Sequence, residues 1–314
     1  MGGSQSYLPT TEDGGVSETL SSLRKNEFVK SIPFLAVPGL LVAVFVYGSI
    51  IWNFVLSLTD FRGFGDPDYT SLDLGMYTRM LTDGTFLAAA RNTVALTVAF
   101  TLLCLVLGLS LAILVDRDIK FEGALRTIYL LPMSISFVVT AIFWGWMFNP
   151  STGVINTFLR GIGLEFLALD WIGNPSTQLI AITIALVWQF TGLAMIIYLA
   201  GLRKIPRDQY EAAKMDGASD IIMYLKVVIP QLKTSTFSAI VILLMFSLKA
   251  FDFVFVLFGT SPGPGADILP VMMYREAFSA NNWAYGSAVA VVLLVGALIC
   301  IAPYLYYQHN RNLL

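Results

Sequence analysis

Long apolar runs alternate with short polar stretches along this chain. Six such runs, at about 32–58, 93–115, 124–148, 178–200, 236–259 and 287–308, each approach or exceed the roughly 20 residues that a helix needs to cross a bilayer core. Lipid offers no partner to a free backbone N–H or C=O, so runs of this kind predict continuous helix. The expected architecture is an all-α membrane protein, with six transmembrane helices over residues 32–310 behind a tail of residues 1–31 rich in Gly, Ser and Thr. The tail has no basic start followed by a short apolar stretch and a small-residue cleavage site, so no cleavable signal peptide is expected.

Charge gives the runs a direction. Alternate polar segments hold Arg24, Lys25, Lys30, Arg117, Lys120, Arg126, Arg203, Lys204, Arg207, Lys214, Lys226, Lys233 and Arg311, thirteen cations against five on the other side, Arg62, Arg79, Arg91, Arg160 and Arg275. Segments rich in Lys and Arg stay in the cytoplasm. Both termini and the 201–235 loop are therefore expected inside, in a cytoplasmic (inner) membrane. The outer segments are more acidic, with Asp60, Asp66, Asp68, Asp73 and Asp83 ahead of the second run and Glu165 and Asp170 ahead of the fourth.

Between the fourth and fifth runs lies one polar island with helical grammar, Gly201 to Lys233, reading GLRKIPRDQYEAAKMDGASDIIMYLKVVIPQLK. Pro206 suits a first helical turn, and Glu211 to Met215 are good helix formers. Gly217 tolerates the left-handed conformation that stops a helix, and Ser219 suits the cap of a second one. The expectation is helix, tight turn, helix. Ala212 and Ala213 leave one face of the first helix nearly bare, so a partner's groove can close on its backbone beside the charge of Glu211. An ordinary membrane-surface loop is the alternative.

Composition narrows the class. A chain that is 56% hydrophobic and 13% charged is not a soluble globule, which carries about a quarter charged residues. A net charge of −2 with no basic stripe argues against a nucleic-acid partner. Cys104 and Cys300 fall in apolar runs and read as small packing residues, and with His309 the single histidine no metal site is expected. The chain contains no HExxH or GxxxxGK[ST] string, and its one GxSxG match, Gly259 to Gly263, sits in a Gly- and Pro-rich stretch between apolar runs, without the strand-to-helix context that motif needs, so neither hydrolase chemistry nor ATP binding is expected of it.

The island carries a more specific signal. Glu211-Ala212-Ala213, then Asp216-Gly217-Ala218, then Val228-Ile229-Pro230 resembles the EAA loop in permease subunits of binding-protein-dependent ABC importers. Glu211, Ala212, Ala213, Asp216, Gly217 and Pro230 match that motif, while Ile229 stands where the family usually has leucine. The outer stretch GTSPGPGADILPVMMYREA, Gly259 to Ala277, resembles the family's TxGGPxxxT turn through Thr260, Gly263 and Pro264, and Tyr274 with Phe278 echoes the element that follows it. Together with the turns at 149–156 and 171–175, this points to the carbohydrate branch, of maltose/trehalose type, over roughly residues 32–310.

The resemblance implies a type I ABC importer permease fold, with the matched loop residues coupling to a cleft in a cytoplasmic ATPase. It implies a second permease subunit, two ATPase subunits carrying ATP and magnesium, and an extracytoplasmic solute-binding protein delivering a sugar. This chain would carry no cofactor and catalyse nothing itself. A permease for a glycerol phosphate is one alternative and an ion-coupled secondary transporter another; no inverted internal repeat is readable, which weighs against the latter.

The remaining oddity is Lys249 and Asp252, three apart inside the fifth apolar run in SLKAFDFVF. Ionisable groups at membrane depth face a bundle interior or a wet cavity. At i,i+3 on one helix they can neutralise each other as a structural pair. Alternatively they bind sugar, the carboxylate accepting from hydroxyls and the ammonium donating, with Phe251 and Phe253 beside them to stack on a pyranose ring. By resemblance, anchored on the turn at Thr260, sugar-touching positions fall on Lys249 and Asp252; anchored on Pro230 they fall on Phe246 and Ala250. In the fourth crossing they fall near Gln189, Phe190 and Leu193, where the Gln189 amide has the alternative of bonding a neighbouring helix. Trp144, Trp146 and Trp188 read either as sugar platforms or as interfacial anchors.

Overall fold

The computed structural model describes residue 34 and residues 36–116 and 122–310, with backbone alone for Glu122 and 303–310. The tail 1–31 and the cations Arg24, Lys25, Lys30, Arg117, Lys120 and Arg311 lie outside the described residues. The chain divides into two units, Met1–Phe54 and Val55–Leu314. All but the last two residues of α1, Ala36–Leu56, belong to the first; it is a span of 21 residues whose sequence is apolar apart from Ser49 and Asn53. At 1.5 Å per residue such a helix covers about the 30 Å of a bilayer core.

The second unit is helical, with no strand among the described residues. A short outer helix, α2 (Gly75–Thr82), leads into the long crossing α3 (Gly84–Asp116). This helix starts at Gly84, outside the apolar run, because Asp83 caps it: one carboxylate oxygen accepts from the Thr85 backbone N–H at 2.9 Å and from its hydroxyl at 2.5 Å.

The third run departs from the expected single crossing. It forms α4 (Glu122–Leu130), a 3-10 turn over Leu131–Ser134 and α5 (Phe137–Met147), and the two arms are bent by 101°. Pro132 lacks the N–H that a continuing helix needs, and Ser136 restarts the helix as the cap of α5. The outer connection that follows carries α6 (Val154–Gly161). It is ordered by buried Asn156, whose Nδ2 donates to the Leu169 and Pro150 carbonyls at 2.8 and 3.2 Å while its Oδ1 accepts from the Trp171 indole at 2.8 Å.

The central helix is α7 (Pro175–Leu202), started by Asn174, which accepts from Ser176 N, and by Pro175 at its first position. It packs along α3, and the contact is backbone-close: a Cβ on Gly108 would lie 2.5 Å from the Ala194 Cβ. Small residues at a crossing of this kind replace the hydrophobic drive that lipid cannot supply. The main core is built around these helices, with Phe100, Ile182, Leu186, Phe190, Leu243 and Phe253 buried in it.

After α7 come the two loop helices, α8 (Arg207–Met215) and α9 (Asp220–Met223). α9 is continuous with the fifth crossing: helical backbone runs on through a π turn (Tyr224–Val228) and a 3-10 turn (Ile229–Leu232) into α10 (Lys233–Leu248). Pro230 sits in the 3-10 turn, where the altered ladder accommodates its missing N–H. The helix breaks at Lys249 and Ala250 and resumes as α11 (Phe251–Phe258). An outer stretch with α12 (Leu269–Tyr274) leads to the last crossing, α13 (Trp283–Asn310).

Among the described residues, five helices are thus long and apolar enough to cross a membrane, and the bent third run makes a sixth when taken as one span.

Candidate functional site

Most of the candidate residues fall at two places in the described fold, the loop between the fourth and fifth crossings and a cavity beside the break in the fifth. The loop is the predicted helix, turn, helix. Gly217 adopts φ +78°, and the turn closes with Gly217 N donating to Lys214 O and Ala218 N to Ala213 O, both at 3.0 Å. That paired closure satisfies two carbonyls at the end of α8 and requires a left-handed residue, which glycine adopts without strain. Ser219 precedes α9 as expected, but its side chain makes no capping hydrogen bond. Glu211, Ala212 and Asp216 are exposed while Ala213 is buried, so one edge of the EAA helix packs inward and the other stands free. Beside them Met215 is 88% and Ile221 72% exposed, an apolar surface of the kind a protein partner covers.

Beneath α8 lies a cleft of about 480 Å³ whose walls include Asp116, Arg203, Arg207, Tyr210, Glu211 and Lys214. Burial pushes the Tyr210 phenol up to about 12, and the neighbouring Asp116 carboxylate adds to the effect. Tyr210 therefore stays neutral at physiological pH, as a packing residue between the loop and the ends of α3 and α7.

The cavity, about 730 Å³, is lined by Lys249 and Asp252 and by Phe137, Phe246, Phe251, Tyr274 and neighbouring apolar residues. The break at Lys249–Ala250 puts the two charged side chains at a helix end and a helix start. Both are exposed, and no ion pair joins them to each other or to another of the described residues. The structural-pair reading therefore has no support in the geometry. A ring system surrounds the charges: Tyr274 lies 5.3 Å from Phe251 and 5.2 Å from Phe278, and Phe246 lies 4.4 Å from Phe190. Aromatic faces around hydrogen-bonding charges form the kind of surface that binds a ligand with both apolar and hydroxylated faces.

The other predicted positions separate. Phe253 is fully buried in the core, two residues from Phe251 and so on the opposite side of α11. Ala250 is buried as well. Phe190 is buried but backs directly onto Phe246 and Phe137, and Leu193 is half-buried. Gln189 is buried, its amide donating to the Ile135 carbonyl at 2.7 Å. Among the tryptophans, Trp144 is buried while Trp146 is 75% exposed. Sequence reading missed Phe137; its only signal is that it follows the Pro132 to Ser136 break.

The outer turn after α11 is pinned to the start of α3. Asn92 donates to the Pro264 and Asp267 carbonyls at 2.9 and 3.0 Å, the Thr93 hydroxyl accepts from Leu269 N at 2.9 Å, and Arg275 pairs with Asp267 at 2.8 Å. Burial raises the Asp267 carboxyl, with Arg275 opposing the shift.

Comparison with known proteins identifies the family and the fold. Residues 104–313 match the family described as binding-protein-dependent transport system inner membrane component. The xylose/arabinose import permease protein of Haloferax volcanii is 48% identical over 96% of this chain and 95% of its own length. The trehalose/maltose transport system permease of Thermococcus litoralis is 30% identical over 91% of this chain and 94% of its own. Among solved structures, a chain of a bacterial ABC transporter that imports the acidic polysaccharide alginate superposes with a TM-score of 0.77 at 20% identity, covering 93% of this chain and 99% of that one. At that identity the likeness speaks for the fold. The match to the family over residues 104–313, with near full-length relatives, makes this chain a member of the binding-protein-dependent transport system inner membrane components.

Proposed function

We propose that this chain is a sugar-translocating permease subunit of an ABC importer, working beside a second permease, above two ATPase subunits that bind ATP and magnesium, and below an extracytoplasmic binding protein. The observation that carries the sugar reading is the cavity: a carboxylate and an ammonium without partner side chains among the described residues, surrounded by aromatic rings. A carboxylate accepts hydroxyl hydrogen bonds, an ammonium donates them, and rings cover the apolar face of a pyranose or furanose. The names of relatives that import xylose, arabinose, trehalose or maltose support the same substrate class.

On this reading the chain performs no chemistry. Glu211 offers a fixed charge and Ala212 a bare helix surface to an ATPase cleft. The α8–α9 loop follows the ATPases as they close, and the cavity turns between the two sides of the membrane. The cation count assigns the loop and both termini to the cytoplasm.

The test is uptake into proteoliposomes holding the complete transporter. Sugar entry is expected only with internal ATP and with binding protein outside, and it should persist in the presence of an uncoupler. Entry that continues without ATP and collapses with the uncoupler would make the chain an ion-coupled carrier.

A further inference from the structure

One face of α7 grips the elbow of the third crossing. Gln189 and Gly192 are three residues apart and share that face. The Gln189 Nε2 donates to the Ile135 carbonyl at 2.7 Å, and Ile135 precedes the cap of α5, so its carbonyl lies outside the helical ladder. Gly192 abuts the other side of the elbow, where a Cβ would stand 1.9 Å from the Tyr129 carbonyl oxygen. The 3-10 turn Leu131–Ser134 is thus held at both ends by one helix.

The amide has no second task in view. Gln189 is 1% exposed, and its Oε1 is sealed from solvent with no partner among the described residues. It offers nothing to the cavity, and its single bond is the one to the elbow. Directly beyond the elbow, Phe137 enters the cavity wall. At its other end α7 runs unbroken to Leu202, and the loop helix α8 begins at Arg207.

We propose that Gln189 and Gly192 are positioning residues: through them α7 carries displacement of the loop to the elbow, and so to Phe137 at the cavity wall. A helix is stiff along its axis, while a 3-10 turn with a proline is the compliant part of such a linkage. The proposal rests on the transport reading, but its first measurement needs no solute.

The complete transporter in nanodiscs, with Phe137→Cys in a Cys300→Ala background, is reacted with a methanethiosulfonate reagent, first without nucleotide and then after trapping with ATP and vanadate. The reaction rate is expected to differ several-fold between the two states. The difference should shrink below twofold when Gln189→Met, which keeps the length but lacks the donor, or Gly192→Ala is added. In uptake, Gln189→Met should lower the maximum rate roughly five- to a hundredfold, the range for stranding one buried polar group, and Gly192→Ala should lower it as well. The concentration of loaded binding protein for half-maximal rate should stay within twofold. Equal labelling in both states with the intact clamp, or unchanged state dependence in Gln189→Met, overturns the linkage. A loss confined to apparent affinity makes Gln189 a solute contact instead. Should Gly192→Ala not assemble, Gln189→Met alone decides. Should the wild type import no sugar, labelling still reads the linkage while the uptake assay reports against the transport reading.

Discussion

Phe251 and Phe253 stand two apart in one apolar string, and they have opposite fates. A platform for sugar was legible in the string but its member was not: residues two apart on a helix point to opposite sides, so only one of the two rings can face the cavity, and the packing of α11 against the core decides which. Periodicity separates the two rings but does not say which side is the core. Phe253 belongs to the core, so Phe253→Ala should lower stability by about 3–5 kcal/mol, the usual cost of emptying a buried ring site. Thermal unfolding in detergent would measure it. Phe251 is half-buried and packs on the edge of that core, so Phe251→Ala should cost less stability than Phe253→Ala and should also raise the half-saturating solute concentration; equal unfolding temperatures for the two variants would contradict this division.

At the scale of elements, the α8–α9 loop was the most legible part, because its turn depends on one residue whose chemistry is visible in sequence. Gly217 has open space around the position a Cβ would take, so only its φ of +78° restricts substitution. Gly217→Val should strain the turn and abolish uptake while the subunit still reaches the membrane, whereas Gly217→Asn, which enters the left-handed region at low cost, should retain most of it. Paired uptake and ATPase measurements on both variants check this, and a fully active valine variant would remove the turn from the coupling pathway. The third crossing was the least legible element. Its apolar run continues through Pro132, and the contacts that fix the elbow come from Gln189 and Gly192, more than fifty residues away in the chain. Apolar patterning reports what faces lipid, and a bend held by a neighbouring helix leaves that pattern intact.

At the scale of the whole molecule, direction across the membrane follows from charge. A single cysteine placed at Ser71 in a Cys300→Ala background should react with an impermeant reagent added to intact cells, and one at Ser219 should react only after the membrane is opened. Both positions are exposed, so a reversed result would invert the topology and contradict the proposed coupling role of the α8–α9 loop.

The central claim is that solute passes Lys249 and Asp252, driven from the α8–α9 loop. The most direct measurement is solute-stimulated ATPase activity and uptake by the reconstituted complex carrying Lys249→Met with Asp252→Asn. Neither side chain is bonded to another of the described residues, so the complex should assemble and keep its unstimulated ATPase activity. Two charge-assisted hydrogen bonds at roughly 1.5–3 kcal/mol each would be lost, so uptake and its stimulation of ATP hydrolysis should fall by two orders of magnitude or more. Wild-type uptake by a fully assembled double variant would contradict the account.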